Sequence, residues 1–383
     1  MVMANEPDNN PWPSLDGATP RYRRGAQRPA RLPSLLPSRL RLALLLLAAV
    51  GVAGCGPLRG VLPSGTHGPR TLRVADAVSL DRAARTARPG DTVLVAAGTY
   101  DGTLELHVSG TPAAPIRFVA APGATIDAAG GPAGISVTNK HDLEFSGFTV
   151  TGATAQGVWV GDAAARLHFS RLRVTRNQGP GFQIKDAAGV TVERSVVDGN
   201  LRAGIMELDG VRGGRYYADV ISGNGHDHLP FNGDGILLHG QGTVVSGCRL
   251  SGNGDDQLHE HGIYVGSDAT SYLLENNELS GNSGAGIKAE GAGTVRGNRF
   301  GSSRLAIAAD ESSGDGILLQ GNTITGSFQH AVIVGENAQV RLWDNTISAA
   351  PSPTIGDHTP VLVIPGATLN MRGNHIVWGG TSW

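Results

Sequence analysis

The sequence predicts an all-β solenoid, a coil of short stacked strands, and three observations carry that prediction. From residue 134 onward one phrase keeps returning: GISV at 134, GVWV at 157, GFQI at 181, GIME at 204, GILL at 235, GIYV at 262, GIKA at 286, AIAA at 306, AVIV at 331 and VLVI at 361. The spacings are 23, 24, 23, 31, 27, 24, 20, 25 and 30 residues. A period in the low twenties, built of short alternating strands and Gly/Asn turns, marks stacked repeats. Second, NNELSGN, GNRF, GNTITG, DNTISA and GNHIV place Asn277, Asn298, Asn322, Asn345 and Asn374 two residues before an apolar side chain, aliphatic in all but Phe300. Third, 383 residues are too many for one ordinary compact domain, yet a length of this order suits a single elongated repeat domain. Leucine-rich repeats share the period, but their Leu-x-x-Leu-x-Leu frame is absent.

The chain begins with something other than fold. RLRLALLLLAAVGVAGC has arginines, an apolar run of about a dozen residues, then small residues before Cys55. That run is a signal-peptide core, short for a membrane-spanning helix. VAGC resembles the lipobox of bacterial lipoproteins, in which the cysteine becomes the lipidated first residue. Residues 1–54 are therefore expected to be a signal peptide with a long leading segment, and 55–70 a lipidated cysteine with a Gly/Pro-rich tether. The expected location is the bacterial cell envelope, periplasmic or surface-exposed, with a lipid anchor as the sole membrane contact. A lipidated Cys55 leaves Cys248 without a disulfide partner.

Residues 77–88 carry apolar side chains at helical spacing, and Pro89-Gly90 stops them. A short amphipathic helix here covers the open end of the coil, which otherwise exposes its interior and unpaired strand edges. Two or three strands follow before the repeats begin. The stretch A..A.PGDTV.V..GTY and the Gly-Ile repeats resemble right-handed parallel β-helix proteins of the pectin-lyase-like superfamily, over residues 71–383. The resemblance implies a β-helix of about a dozen rungs, with its N-terminal end covered by the helix.

Stacked rungs align the five asparagines into a ladder, each amide bonded to the next at about 4.8 Å. Cys248 in GCRL and Ser170 in SRLRV are expected in the same slot of earlier rungs, which makes Cys248 a buried substitute. Within each Gly-Ile phrase the second and fourth residues point in, so the third and fifth point out. The third positions are Ser136, Trp159, Gln183, Met206, Leu237, Tyr264, Lys288 and Ala308. The fifth positions are Thr138, Gly161, Lys185, Leu208, His239, Gly266, Glu290 and Asp310.

The two longest central spacings precede GILL and GIYV, and extra residues in a solenoid go into loops, often on the binding face. These inserts read GHDHLPFNGD and GDDQLHEH. His226, His228, His239, His259 and His261 are five of the twelve histidines, and Asp227, Asp234, Asp255, Asp256 and Glu260 join them. A groove is expected here, with His261, Tyr264, Lys288, His239 and Asp234 as its reacting groups. Trp159, Gln183, Lys185, His259, Glu260 and Glu290 are the expected sugar-binding residues.

The superfamily resemblance implies activity on polysaccharides. A lyase or C5-epimerase of uronate polymers neutralises the C6 carboxylate and removes the C5 proton, and elimination also needs an acid for O4. Lys288, His239, His261 and Tyr264 offer those types, provided desolvation or cationic neighbours lower the pKa of Tyr264 or Lys288. A glycoside hydrolase needs paired carboxylates. FNGDG and HGIYVGS resemble pieces of polygalacturonase motifs, which would bring Asp234 and His261 to the groove, but the separate paired-Asp rung and the Arg-x-Lys element are missing. A non-catalytic, glycan-binding or adhesive solenoid is the third reading. Asp227, Asp234, Asp255 and Asp256 supply oxygens of the kind calcium takes, without a dedicated loop spacing, and the histidines lack a zinc spacing. Residues 1–54 hold seven of the 31 basic and three of the 33 acidic residues, leaving 24 against 30. That balance is no footprint for nucleic acid. The expected partner is a polysaccharide, acidic if the uronate reading holds, met by a monomer. The anchor is checked directly: Cys55→Ala is expected to release the protein from the membrane fraction, whereas an uncleaved, membrane-bound product would mean a signal anchor.

Overall fold

The computed structural model describes residues 68–226, 233–256, 258–310, 312, 315–351 and 359–382. Cys55, the leading segment, Asp227 and His228 lie outside the described residues. The structure is a parallel β-solenoid with three sheets of 13, 11 and 13 strands. Each rung contributes one strand to each sheet, and eleven turns carry all three. Every expected repeat start falls within two residues of a strand of the 11-stranded sheet, from Ala133–Thr138 to Val361–Val363.

The first strand, Thr71–Val74, pairs with Thr92–Val95, and the helix Ala77–Thr86 lies between them in sequence. Asp76 and Ser79 form a reciprocal capping box at its start, and Leu80, Ala83 and Ala84 are its buried face. It packs on the strands of the first turn and so covers the N-terminal end of the coil. The helix stops at Thr86, earlier than the expected 88, because Ala87 is already extended ahead of Arg88-Pro89.

Inside the coil, Phe118, Phe145 and Phe169 stack at centroid distances of 5.3 and 5.1 Å, one per rung. The asparagine ladder runs as expected. The Cys248 N–H donates to the Asn277 side-chain oxygen, and Asn277, Asn298, Asn322 and Asn345 each donate to the next amide oxygen at 3.0 Å, ending on Asn374. Cys248 is wholly buried, and burial pushes its thiol up to about 12, far from a reactive thiolate. The upstream slots are Asp219, Ser195 and Leu172, not Ser170. Ser170 and Leu172 each precede an aliphatic by two residues, so the pattern alone does not separate them.

Immediately before each ladder residue the chain turns a corner at positive φ. Ten consecutive turns do this at Gly147, Arg171, Arg194, Ala218, Gly247, Asn276, Gly297, Gly321, Asp344 and Gly373. Glycine adopts this conformation freely; the other side chains do so at a cost of about 1 kcal/mol each. A second ladder, absent from the sequence reading, links Asn177, Asn200, Asn224, Asn253 and Asn282 at 2.8–3.0 Å. It explains the recurring glycine of the repeat phrase. A Cβ on Gly157, Gly181, Gly204, Gly235 or Gly262 would sit 2.6–3.0 Å from the amide nitrogen of a ladder asparagine.

One rung breaks the aliphatic interior. Glu207, fourth in GIME, points into the coil and is fully buried. It accepts from the Tyr216 hydroxyl at 2.6 Å and the Thr243 hydroxyl at 2.8 Å. Burial drives its carboxyl up to about 7, and burial likewise raises Asp219 to about 7.

Two outcomes follow from this interior. Asn322→Leu strands the amides on either side of it and is expected to cost about 3 kcal/mol in chemical denaturation, with glycan turnover unaffected. Glu207 keeps its proton in the folded protein between pH 4.5 and 7, where the unfolded chain has lost it. Its contribution is thus fully present below pH 4.5 and lost as pH rises to about 7, by about 3 kcal/mol. The denaturation midpoint should therefore fall across that window, and Glu207→Gln should shrink the fall, leaving the part that Asp219 contributes.

Candidate functional site

The outward columns are in register across the 11-stranded sheet. Trp159 pairs with Gln183, Gln183 with Met206, Leu237 with Tyr264, and Tyr264 with Lys288. Their inward neighbours, Ile263 and Val265 beside Tyr264 for example, are wholly buried, which turns the alternate side chains outward. Outward does not mean exposed for all of them. Met206 and Leu237 form a small covered cluster with Ala203, and Leu208 and Tyr264 pack against it.

Tyr264, Lys288 and Glu290 form the centre. The Tyr264 hydroxyl donates to Glu290 Oε2 at 2.9 Å, and Lys288 Nζ lies 3.0 Å from Glu290 Oε1 and 3.8 Å from Asp310. The Lys288 ammonium also stands 5.5 Å from the centre of the Tyr264 ring. These contacts reverse the pKa directions that the sequence reading required. Burial and the Glu290 carboxylate hold the Tyr264 phenol far above its ordinary value. Burial alone would lower Lys288, but Glu290 and Asp310 more than offset it and the ammonium is held above its ordinary value. Tyr264 is therefore a proton donor rather than a phenolate base, and Lys288 stays charged.

His239, one rung before Tyr264, sits 6.4 Å from it ring to ring, and its Nδ1 lies 2.7 Å from the Asp268 carboxylate. A carboxylate only accepts, so Nδ1 carries a proton toward Asp268 and Nε2 is the nitrogen left to face a ligand. Gly266 makes room for this: a Cβ there would stand 2.5 Å from the imidazole. Asp268 was not among the sequence candidates, and its position in the turn after Gly266 gave no periodic signal.

Two expected groove residues stand beside this centre but are buried rather than open to the groove. His261 is 5% exposed and Asp234 1%. Asp234 accepts the backbone N–H of His261 at 2.7 Å, and His261 Nδ1 accepts that of Ala285 at 3.0 Å. They tie successive corners together just before the strand glycines, with the His261 ring 6.0 Å from Tyr264. Burial raises Asp234 well above the carboxylate range and pushes His261 well below the usual imidazole value, Lys288 adding to the latter. Glu260 is also buried and turns back onto the N–H groups of Asp255 and Asp256 at 2.7 and 3.0 Å, closing its own loop. His259 bonds Asp256 at 2.8 Å in that loop. Farther along the sheet, Trp159 is half-buried over Gly161, Gln183 accepts from the Gln156 amide at 2.7 Å, and Lys185 is exposed. Among the described residues no three His, Cys, Asp or Glu side chains converge as a metal cage.

This combination of coil and outward column is that of a right-handed parallel β-helix protein. Residues 63–306 match the family described as Pel9A-like, right handed beta helix region, and residues 234–380 match the right handed beta helix region. The chain belongs to the Pel9A-like right-handed β-helix family. No curated protein matches it. Among solved structures it is similar to an alginate lyase from Paenibacillus sp. str. FPU-7, at 19% identity and TM-score 0.53 over 79% of this chain and 98% of that one. Pectate lyase Pel9A is similar at 19% and 0.58, over 69% and 77%. A GH136 lacto-N-biosidase from Eubacterium ramulus gives 13% and 0.63, over 80% and 68%. At these identities the likeness is one of fold.

Proposed function

We propose that the protein is a lyase or C5-epimerase of a uronate-containing glycan, with His239 as base and Tyr264 as acid. The observation that carries this is the pairing, on adjacent rungs, of an imidazole bonded through Nδ1 to a carboxylate with a protonated phenol 6.4 Å from it ring to ring. The similarity to alginate and pectate lyases supports the substrate class.

In the elimination, His239 Nε2 takes the C5 proton and the freed electron pair forms the C4–C5 double bond. The C4–O4 bond breaks and Tyr264 gives its proton to O4. In epimerisation, Tyr264 instead returns a proton to the opposite face of C5. Lys288 lies beside Tyr264 and offsets charge that builds on the C6 carboxylate. Asp268 holds the imidazole in the basic tautomer, while Asp234 and His261 fix the corner on which Tyr264 stands.

A second reading has its own support. Glu290 and Asp310 flank one ammonium, so the centre holds more carboxylates than cations, and paired carboxylates are what a glycoside hydrolase uses. The polygalacturonase-like version is weakened by the burial of Asp234 and His261.

A panel of uronate polymers separates these readings by product. Absorbance of an unsaturated end is expected. New reducing ends without it would support hydrolysis, and inversion at C5 without cleavage would mean epimerase. His239→Ala and Tyr264→Phe should each lower turnover at least about 100-fold. Tyr264→Phe should cost no more than about 1 kcal/mol of stability. Gly266→Ala, which drives a methyl into the imidazole, should lower turnover without removing a reacting group. Full activity in all three variants would remove the assignment.

A further inference from the structure

A different sheet carries a second cluster. On the strand Gln339–Trp343, Val340 and Leu342 are buried, so Arg341 and Trp343 point outward. Arg372 of the next rung pairs with Trp343. Both guanidiniums lie over the indole, Arg341 at 5.6 Å and Arg372 at 5.0 Å from its centre. The indole N–H is pinned by Asn370 at 3.1 Å. Arg296, two rungs earlier in the same column, is neutralised by Glu275 at 2.7 Å. Among the described residues Arg341 and Arg372 form no such ion pair; there Arg341 donates to the Asp315 backbone carbonyl at 3.2 Å, and Arg372 is exposed.

From this arrangement we infer that Arg341, Trp343 and Arg372 form a binding site for the carboxylate of an acidic sugar, separate from the groove. Two cations held against one ring repel, and a bound oxyanion relieves that repulsion. A guanidinium over an aromatic ring still presents N–H donors at its edge, and these suit a carboxylate. The half-buried indole offers apolar surface to the sugar ring beside that carboxylate. Because this site is on a 13-stranded sheet and the groove on the 11-stranded one, the two engage different stretches of a polymer. Occupation of one raises the effective concentration at the other. The inference rests on the uronate reading for its ligand, not for its geometry.

The test is retardation of the full chain in gels containing polyuronate, neutral glycan or no polymer, with anionic lipid vesicles as a separate arm. Arg372→Gln and Arg341→Gln should each weaken polyuronate retention about tenfold, more at low salt, and Trp343→Ala should do the same. Turnover of a short soluble uronate oligosaccharide should be unchanged in all three. His239→Ala should keep its retention, so a failure of the catalytic reading and a failure of this one are read separately. Wild-type retention in both arginine variants would overturn the site. Equal retention by neutral glycan, or capture by vesicles and not by polyuronate, would overturn its assignment to an acidic sugar.

Discussion

Every turn of a parallel coil must leave one sheet and enter the next, and at each corner the backbone amides leave their strand partners inside the protein. Unpartnered, such groups cost as much as lost hydrogen bonds. Side-chain amides solve this here, because an asparagine both donates and accepts and so serves its own rung and the next. The Asn277–Asn374 ladder lines one corner and the Asn177–Asn282 ladder another. The stack of phenylalanines fills the space between sheets, but the amides set the register.

The site inherits that register. From Gly157 to Gly262 the second ladder leaves no room for a side chain at the first residue of the repeat phrase, so that position is glycine. Once it is fixed, period-two alternation dictates that Tyr264 and Lys288 stand side by side on adjacent strands. The chemistry is then tuned by what surrounds the columns. Glu290 accepts from the Tyr264 hydroxyl and Asp268 pairs with His239 Nδ1, so two carboxylates orient the phenol and the imidazole.

The fold and the columns were legible because both rest on spacing. Ile263 inside and Tyr264 outside follow from alternation alone. Legibility ended where alternation ends. Asp234 and His261 immediately precede a strand glycine, at a corner, where no period says which way a side chain points; both turn inward to backbone N–H groups. Glu260 looked like a rim carboxylate in a polar loop, yet it caps that loop from within. Glu207 broke the pattern of aliphatic fourth positions in plain view, but its partners, Tyr216 and Thr243, come from other strands that composition does not connect to it. The second ladder did leave a signal, the Asn of DGN and SGN at 198, 222, 251 and 280, hidden beside the more obvious glycine.

The helix Ala77–Thr86 covers the N-terminal end of the coil and is made before any of the repeats it protects. As the chain emerges, from a ribosome or through a membrane, a finished edge is therefore already waiting. Each later rung needs only to add itself to the one preceding it, closing a loop of some two dozen residues rather than searching the whole length. Strand pairing of high sequence separation is the slow step in most β proteins. Assembly here becomes a succession of short searches in the order of synthesis, and an incomplete chain exposes only its newest edge.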